Sequence, residues 1–298
     1  MFNETMRSSF LPIAFLILFA PALPAQTSTS GDIVGTVTDP SGGTMPAATI
    51  LLKNNGTGAV QQKTSSSQGT YRFSFLPPAS YTITVKSTNF MTVEKVVPVQ
   101  VGQVTTVDVQ LSIKSASTSV EVLDFAVGVQ TDNGNLSTTV TPQQLAELPN
   151  SGNDMTFYAL ITPGVQMSTN GGYGNFETFG LPATSNTFTV NGAVNNDVYL
   201  NLGNSGSSNL MLGSNAIGEA TVVNNGYTGQ YGGLAGSQVN YVSKSGTNSY
   251  HGNAVYYWNG RAMNANNWFN NQSGDPKPFS NVNEWATSVG GPFPKQKD

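Results

Sequence analysis

The side chains able to do chemistry are few and widely spaced. His251 is the single histidine and the chain has no cysteine, which excludes a disulfide framework and any thiolate metal site. A catalytic metal draws on several convergent ligands, and one imidazole does not supply them; His251 reads as a turn or strand residue. Asp32, Asp39, Asp108, Glu121, Asp124, Asp197 and Glu219 are scattered along the chain, and nothing in their spacing points to the facing carboxylates of glycoside hydrolysis. Glu94 and Asp108 read as members of solvated strand faces. Neither G-x-x-x-x-G-K-[ST], H-E-x-x-H nor G-x-S-x-G occurs. The glycines at 226, 229, 232, 233 and 236 lie between two β-branched runs with no helix after them, so the β-α-β frame of a dinucleotide site is missing. No catalytic residue, metal or cofactor is expected.

The elements around these residues are strands. Ala220–Val223 and Gln238–Ser243 flank the glycine-rich loop, and Asn253–Trp258 follows a turn at Ser245-Gly246-Thr247-Asn248, a β pattern with glycine punctuation. Charged residues are 9% of the 298, against roughly 25% in average globular proteins. Apolar residues still reach 38%, so the composition is not that of a disordered chain. A net charge of −4 with no basic stripe argues against nucleic acid as a partner. Residues 1–25 read as a secretory signal peptide: Arg7, an apolar run over Phe10–Ala20, then small residues at Ala20, Ala22 and Ala25. That run is shorter than the roughly 20 residues a spanning helix needs.

Residues 31–113 read as one β-sandwich, with strands expected at Ile33–Thr38, Thr49–Lys53, Thr70–Phe75, Tyr81–Lys86, Val93–Val101 and Val104–Leu111. Period-2 alternation puts Tyr71, Phe73 and Phe75 on one face, likewise Tyr81, Ile83 and Val85, and Thr105, Val107, Val109 and Leu111. Turns are marked by Asp39-Pro40-Ser41-Gly42-Gly43, Asn54-Asn55-Gly56 and Pro77-Pro78. Further on, Thr141 and Pro142 open a short helix ending near Leu148-Pro149. A second helix is expected over Asp154–Ile161, with Phe157, Leu160 and Ile161 on one side. A strand is expected at Phe188–Val190. Tyr250–Trp258 alternates Gly252, Ala254, Tyr256 and Trp258 against His251, Asn253, Val255 and Tyr257, with aromatics near one end, as membrane β-strands do. Tyr256-Tyr257-Trp258 suits such a girdle or a core; carbohydrate stacking is the alternative use.

Several motifs carry a family resemblance. Tyr231-Gly232, Gly236, Val239-Asn240 and Lys244-Ser245-Gly246-Thr247-Asn248 through His251-Gly252 closely resemble the passage from plug to barrel in TonB-dependent outer-membrane receptors of the Oar-like kind. Gly35-Thr36-Val37-Thr38-Asp39, Pro46-Ala47-Ala48-Thr49-Ile50, Gly69-Thr70-Tyr71-Arg72-Phe73 and Leu76-Pro77-Pro78 before Tyr81 resemble the carboxypeptidase regulatory-like, transthyretin-like module, with Ala79 where that module usually has glycine. Leu148-Pro149-Asn150-Ser151-Gly152-Asn153-Asp154 and Thr162-Pro163-Gly164-Val165 are similar to plug motifs, with Asn153 in place of the usual arginine. Asn191-Gly192 stands where Asp-Gly is common. Asn264-Ala265, Trp268-Phe269 and Gly290-Gly291-Pro292-Phe293 with Lys295 and Lys297 resemble early barrel segments.

The resemblance implies a mainly β chain: a signal peptide (1–25), the transthyretin-like β-sandwich (31–113), an α+β plug (114–247) and the first strands of an incomplete outer-membrane β-barrel (248–298). Roughly 50 residues follow the plug, room for two or three strands at about 9–11 residues each. That is fewer than the roughly 22 strands of large outer-membrane transporters, so a longer receptor or a truncated gene is expected. Implied partners are a TonB-like energy-coupling protein, outer-membrane lipid around the barrel, and a ligand that is a peptide, a carbohydrate or a chelated metal. The coupling partner would pair with Thr118, Ser119, Val120, Glu121, Val122 and Leu123 (the TonB box candidate); the same segment also reads as the first strand of the plug. The expected plug–barrel junction comprises Glu219, Tyr231, Gly232, Lys244, Gly246, Asn248, His251 and Gly252. A buried Glu219 would need a cationic partner, for which Arg261 is one choice. The competing reading is an exported surface binding or adhesion protein presenting glycine- and tyrosine-rich loops.

Overall fold

The computed structural model describes residues 29–114, 121–124, 134–148, 155–168, 175–203, 215–225 and 231–293. The expected leader at 1–25, Thr118, Ser119, Val120, the Asn150–Asp154 match, and Lys295 and Lys297 lie outside these residues.

The first domain is built from β1 (Gly31–Thr38), β2 (Thr49–Asn54), β3 (Val60–Thr64), β4 (Thr70–Leu76), β5 (Ala79–Lys86), β6 (Val93–Val99), β7 (Val104–Thr106) and β8 (Val109–Gln110). One sheet runs β4-β1-β7, with β8 also on β1. The facing sheet runs β3-β2-β5-β6 and continues into β9 (Glu121–Asp124). Alternation decides what lies between them. Ile33 and Val37 of β1, Phe73 of β4, Ile50 and Leu52 of β2, and Ile83 and Val85 of β5 are all buried in one core, each such side chain worth about 1.5–3 kcal/mol of transfer free energy.

Four expectations change here. The β3 strand was not anticipated: every residue of Val60–Thr64 is exposed, because an edge strand needs no apolar face. The strand expected over Val93–Val101 ends at Val99, and Gln100–Gln103 turn. The one expected over Val104–Leu111 is split at Val107-Asp108. There the Asp108 carboxylate accepts the Thr36 amide (2.8 Å), so a side chain stands in for a rung of the ladder. Phe75 does not share the face of Tyr71 and Phe73. It has φ +58° and is 78% exposed, while Leu76 is fully buried. Its amide donates to Asp32 Oδ1 (3.0 Å), which holds the local reversal of faces.

The β9 strand pairs in parallel with β6, in the register Val93↔Glu121, Glu94↔Val122, Lys95↔Leu123 and Val96↔Asp124. It is therefore not the first strand of the next domain. That domain opens with β10 (Leu136–Val140).

The central domain continues with α1 (Pro142–Glu147), a 3-10 turn (Met155–Ile161), β11 (Val165–Met167), β12 (Phe176–Thr178), β13 (Thr187–Val190), β14 (Ala193–Val194), β15 (Ile217–Asn225) and β16 (Gln238–Ser243). Its main sheet has the order β10-β15-β16-β13-β14, with β13 parallel to β16. The expected cap of α1 is present as a capping box between Thr141 and Gln144, satisfying donors that a helix start leaves open. The second expected helix is instead the 3-10 turn. Its tighter winding buries Met155, Tyr158 and Ala159 and leaves Ile161 46% exposed, not the Phe157, Leu160 and Ile161 side read at an α-helical period. Asn191 (φ +48°) and Gly192 (φ +84°) make the tight turn between β13 and β14, a geometry that favours this residue pair. Asn191 Nδ2 donates to Ser243 Oγ (3.0 Å) and its Oδ1 accepts the Ser243 amide (3.0 Å). A neutral side chain thus joins the turn to the end of β16.

The last unit is a hairpin of β17 (His251–Gly260) and β18 (Asn281–Gly290), paired antiparallel over all ten residues of each strand. A short helix, α2 (Trp268–Ser273), lies in the connection, capped by Asn267 and ended by Gly274 at φ +77°.

Candidate functional site

Two places gather the residues that the sequence singles out. The first lies where the sandwich meets the central domain. Glu219 sits on β15 and is 5% exposed. Its Oε1 accepts the backbone amide of Val101 (2.7 Å), in the turn that follows β6. Burial pushes the Glu219 carboxyl up to about 7, with the Val101 amide acting in the opposite direction. Beside it, Gln103 Nε2 donates to Thr139 Oγ1 (3.0 Å). Gly102, at φ +69°, faces the Tyr231 hydroxyl so closely that an added Cβ would lie 3.0 Å from it. Glu219 and Tyr231 are therefore brought together on the sandwich, not at the entry to the hairpin. The partner of Glu219 is a peptide N–H and not the Arg261 cation; Arg261 opens the turn after β17. A protonated or hydrogen-bonded acid satisfies a buried site without a counter-charge.

The second place is the passage from β16 to β17. The amide of Lys244 donates to Ala216 O (3.0 Å), the last tie to the central sheet. Gly246 has open space around it. Asn248 turns back to the sandwich: its amide donates to Gly56 O (3.0 Å) and its side-chain amide to Thr57 O. His251 Nδ1 lies 2.9 Å from the Ser249 carbonyl and 3.3 Å from Thr247 Oγ1, a turn-stabilising role. Gly252 packs in the hairpin where a Cβ would meet the Ser288 carbonyl oxygen at 2.5 Å. Lys244, Gly246, Asn248, His251 and Gly252 lie along the connection from β16 to β17, which also contacts the first domain through Asn248.

The glycine-rich motif has a structural reason of its own. A Cβ on Gly236 would come within 2.6 Å of the Ser185 carbonyl oxygen and closer still to Asn186 Oδ1. Asn186 is buried; its Oδ1 accepts the Ser237 amide (2.9 Å) and its Nδ2 donates to Phe176 O (2.8 Å). Ser237 Oγ in turn donates to Asn224 Oδ1 (2.7 Å). This buried polar network ties the loop to β15, the use for which fully partnered interior polar groups suit a fold. Val101, Gly102, Gln103, Thr139 and Gly56 were missed in the sequence. The Val-Gly-Gln between two strands was the available signal, and it reads only as a turn.

On the hairpin, the face carrying Tyr256, Trp258, Trp285 and Val289 is open, with Trp285 77% and Val289 89% exposed. Tyr256 Oη donates to Asn283 Oδ1 (2.6 Å) and Trp258 Nε1 to Asn281 Oδ1 (2.9 Å), so the aromatic polar tips are satisfied across the strands. The opposite face pairs Asn253 with Ser288 and sets Tyr257 against Glu284. One apolar, aromatic face and one polar face is the arrangement of a barrel wall between lipid and lumen. Among the described residues no three histidine, cysteine or acidic side chains converge on a metal-sized site.

Comparison with known proteins agrees. Residues 32–112 match the carboxypeptidase regulatory-like domain family, and residues 242–298 match the outer membrane beta barrel domain family. The TonB-dependent transporter Oar of Myxococcus xanthus is 23% identical over 310 aligned positions, which cover 99% of this chain and 28% of that protein. The chain therefore spans little more than a quarter of that relative's length. Among solved structures, the siderophore receptor PirA of Acinetobacter baumannii is 24% identical over 53% of this chain and 22% of its own, at a TM-score of 0.39. PirA of Pseudomonas aeruginosa is 16% identical over 54% of this chain and 26% of its own, at a TM-score of 0.36. With a relative aligned along nearly all of its length and a domain family matched at each end, the chain is similar to Oar-like TonB-dependent transporters of the outer membrane; it is mainly β, with a carboxypeptidase regulatory-like domain first and an outer-membrane barrel match last.

Proposed function

We propose that this chain provides the regulatory domain, plug and opening barrel strands of a receptor that takes up a ligand across the outer membrane. On this reading the plug lies within residues 114–247, its own sheet opening at Leu136, 248–298 begin the barrel, and the leader at 1–25 directs export, with sandwich and plug on the periplasmic side. The segment Thr118–Leu123 is the strand offered to a TonB-like energy-coupling protein. Such pairing rests on main-chain hydrogen bonds, which places few demands on side chains. The chain acts by binding and gating and performs no catalysis.

The observation that carries the reading is continuity. A mixed sheet in the central domain passes through Lys244–Gly252 directly into a ten-residue antiparallel hairpin with an aromatic outer face. An unpaired sheet edge in hydrocarbon leaves N–H and C=O groups without partners, each at a cost of several kcal/mol, so a hairpin of this kind belongs to a larger closed wall. The test has two parts. Cells expressing the complete gene are fractionated, with recovery of the product in the outer membrane expected; recovery in the soluble periplasm contradicts the reading. A peptide spanning residues 118–124 is then titrated with the periplasmic domain of the cell's TonB-like protein. Saturable binding supports the coupling role and its absence removes it.

A further inference from the structure

The end of the sandwich that carries the turns after β2 and β6 is held stiff from within. Asn54 pairs with Tyr81, and Val99 with Ala79, so both turns lie beside the start of β5, at one end of the sheet. In the first turn Asn54 Oδ1 accepts the amides of Gly56 (2.9 Å) and Thr57 (3.0 Å), and the Asn55 amide donates to Ser80 O (3.0 Å). In the second the Gly102 amide donates to Ser30 O (3.0 Å) and Gln103 O accepts the Asp32 amide (3.0 Å). The carbonyls of Gly56 and Thr57 and the amide of Val101 are thus positioned by the sandwich itself. Two separate parts of the chain dock on them. Glu219 of β15 takes the Val101 amide and Thr139 of β10 takes the Gln103 side chain, while Asn248, beyond the central sheet, donates to Gly56 O and Thr57 O. Between these attachments lies a short joint. Lys244 makes the last tie to the central sheet, Gly246 has open space where a Cβ would stand, and the chain from Lys244 to Asn248 reaches about 14 Å at full stretch.

We propose that this end of the sandwich is a brace across the joint between the central domain and the hairpin. One end face grips both sides of Ser245–Thr247, and the central domain swings about these residues only after the face lets go of Glu219 or of Asn248. The reason is mechanical. Sandwich, central sheet and joint close a ring of packed pieces, and a hinge absorbs motion at a few connecting residues only when nothing else spans it. The hydrogen bonds at Val101 and those at Gly56 and Thr57 therefore resist the same motion, although their partners lie on opposite sides of the joint. Undocking at either attachment frees the hinge. The brace goes beyond the receptor reading and holds whether or not a coupling protein binds the chain.

Gly56 shows where the brace can be locked. A Cβ built there lies 3.7 Å from Thr247 Cβ, within the roughly 3.5–4.5 Å of a disulfide. In the full-length product, with any cysteine outside these 298 residues replaced by serine, Gly56→Cys, Thr247→Cys should cross-link under mild oxidation. Lys86→Cys, Thr247→Cys, with Lys86 at the other end of β5, should not. No link in the first pair, or equal links in both, overturns the docking. Trypsin then reads the joint, because cleavage after the exposed Lys244 needs local opening. Glu219→Leu, which deletes the acceptor for Val101, should speed that cut at least about fivefold, with no new cut after Lys53 or Lys63 of the sandwich. Glu219→Gln keeps an acceptor and should behave as the parent. Gln103→Ala, made on the sandwich side so that the central domain is untouched, should act in the same direction as Glu219→Leu. Oxidising the 56/247 pair in either background should restore resistance. A rate of cleavage at Lys244 that ignores both variants, or that ignores the disulfide, overturns the brace.

Discussion

The sandwich and the terminal hairpin are written in the same alternating code and end in opposite circumstances. In β5 every second side chain from Tyr81 on turns inward, and Phe73 of β4 and Ile83 and Val85 of β5 have no exposed surface. In β17 and β18 one face gathers Tyr256, Trp258, Trp285 and Val289, yet Tyr256 is 64% and Trp285 77% exposed. The first set meets a second sheet of its own domain. The second set has no protein across from it among the described residues and matches a wall whose apolar side faces lipid. Period-2 alternation announces a strand with a wet face and a dry face; it does not say what makes the dry face dry. The partner does that: protein for the sandwich and, on the proposed reading, membrane for the hairpin.

Substitutions sharpen the contrast. Phe73→Ala opens a cavity in a closed core and should cost about 3–5 kcal/mol, read as a lowered urea midpoint in residues 31–113 expressed alone. Those residues are expected to fold independently, since both of their sheets contribute to a single core. Collapsed, exchange-broadened NMR signals from that fragment would show that the sandwich needs the central domain. Trp285 lies midway along its strand, and Trp285→Arg should cost about 2–4 kcal/mol in the membrane-embedded protein. Ser288→Arg, on the polar face, should cost much less. Equal losses at the two positions would mean that the hairpin has no lipid side.

The interface between sandwich and central domain lies between these extremes, protein against protein but with a carboxyl at its centre. Glu219 is held up to about 7 by burial, from an ordinary value of 4.5. Between those values the docked form keeps a proton that the undocked form has released. Its contribution is therefore full below about pH 4.5 and is lost as pH rises through 7, a swing of roughly 3 kcal/mol. Thermal unfolding of the two-domain unit followed from pH 4 to 8 should show this slope, and Glu219→Gln should flatten it. A slope that survives in the variant would assign the effect to another group. The smallest effect is expected at α1, where Thr141→Ala removes half of the capping box and should cost about 1 kcal/mol by chemical denaturation.

What was legible in the sequence follows the same physics. Strands whose alternate residues are strongly apolar, such as Tyr81–Lys86, and a helix start marked by Thr141-Pro142 have local causes and could be read locally. The β3 strand could not, because Gln61, Gln62 and Lys63 belong to an edge that buries nothing. Phe75 alternates like a core residue, but a positive φ turns it outward, supported by Asp32 of the neighbouring strand β1, 43 residues away in sequence. Contacts made across long separations were the least visible. Nothing near Glu219 announces Val101, 118 residues away, and nothing in Glu121–Asp124 says that its neighbour is β6. The motif over Lys244–Gly252 says nothing of the attachment of Asn248 to the sandwich.

The coupling role is tested in living cells. A single cysteine is introduced at Val122 in the full-length product, with any cysteine outside these 298 residues replaced by serine, and cysteines are scanned along the periplasmic domain of the cell's TonB-like protein. A disulfide-linked complex at Val122→Cys, with none from a cysteine at Lys63 on the far edge of the sandwich, is the expected result. No complex at Val122, or equal complexes at both positions, would contradict the assignment of this chain as an energy-coupled receptor.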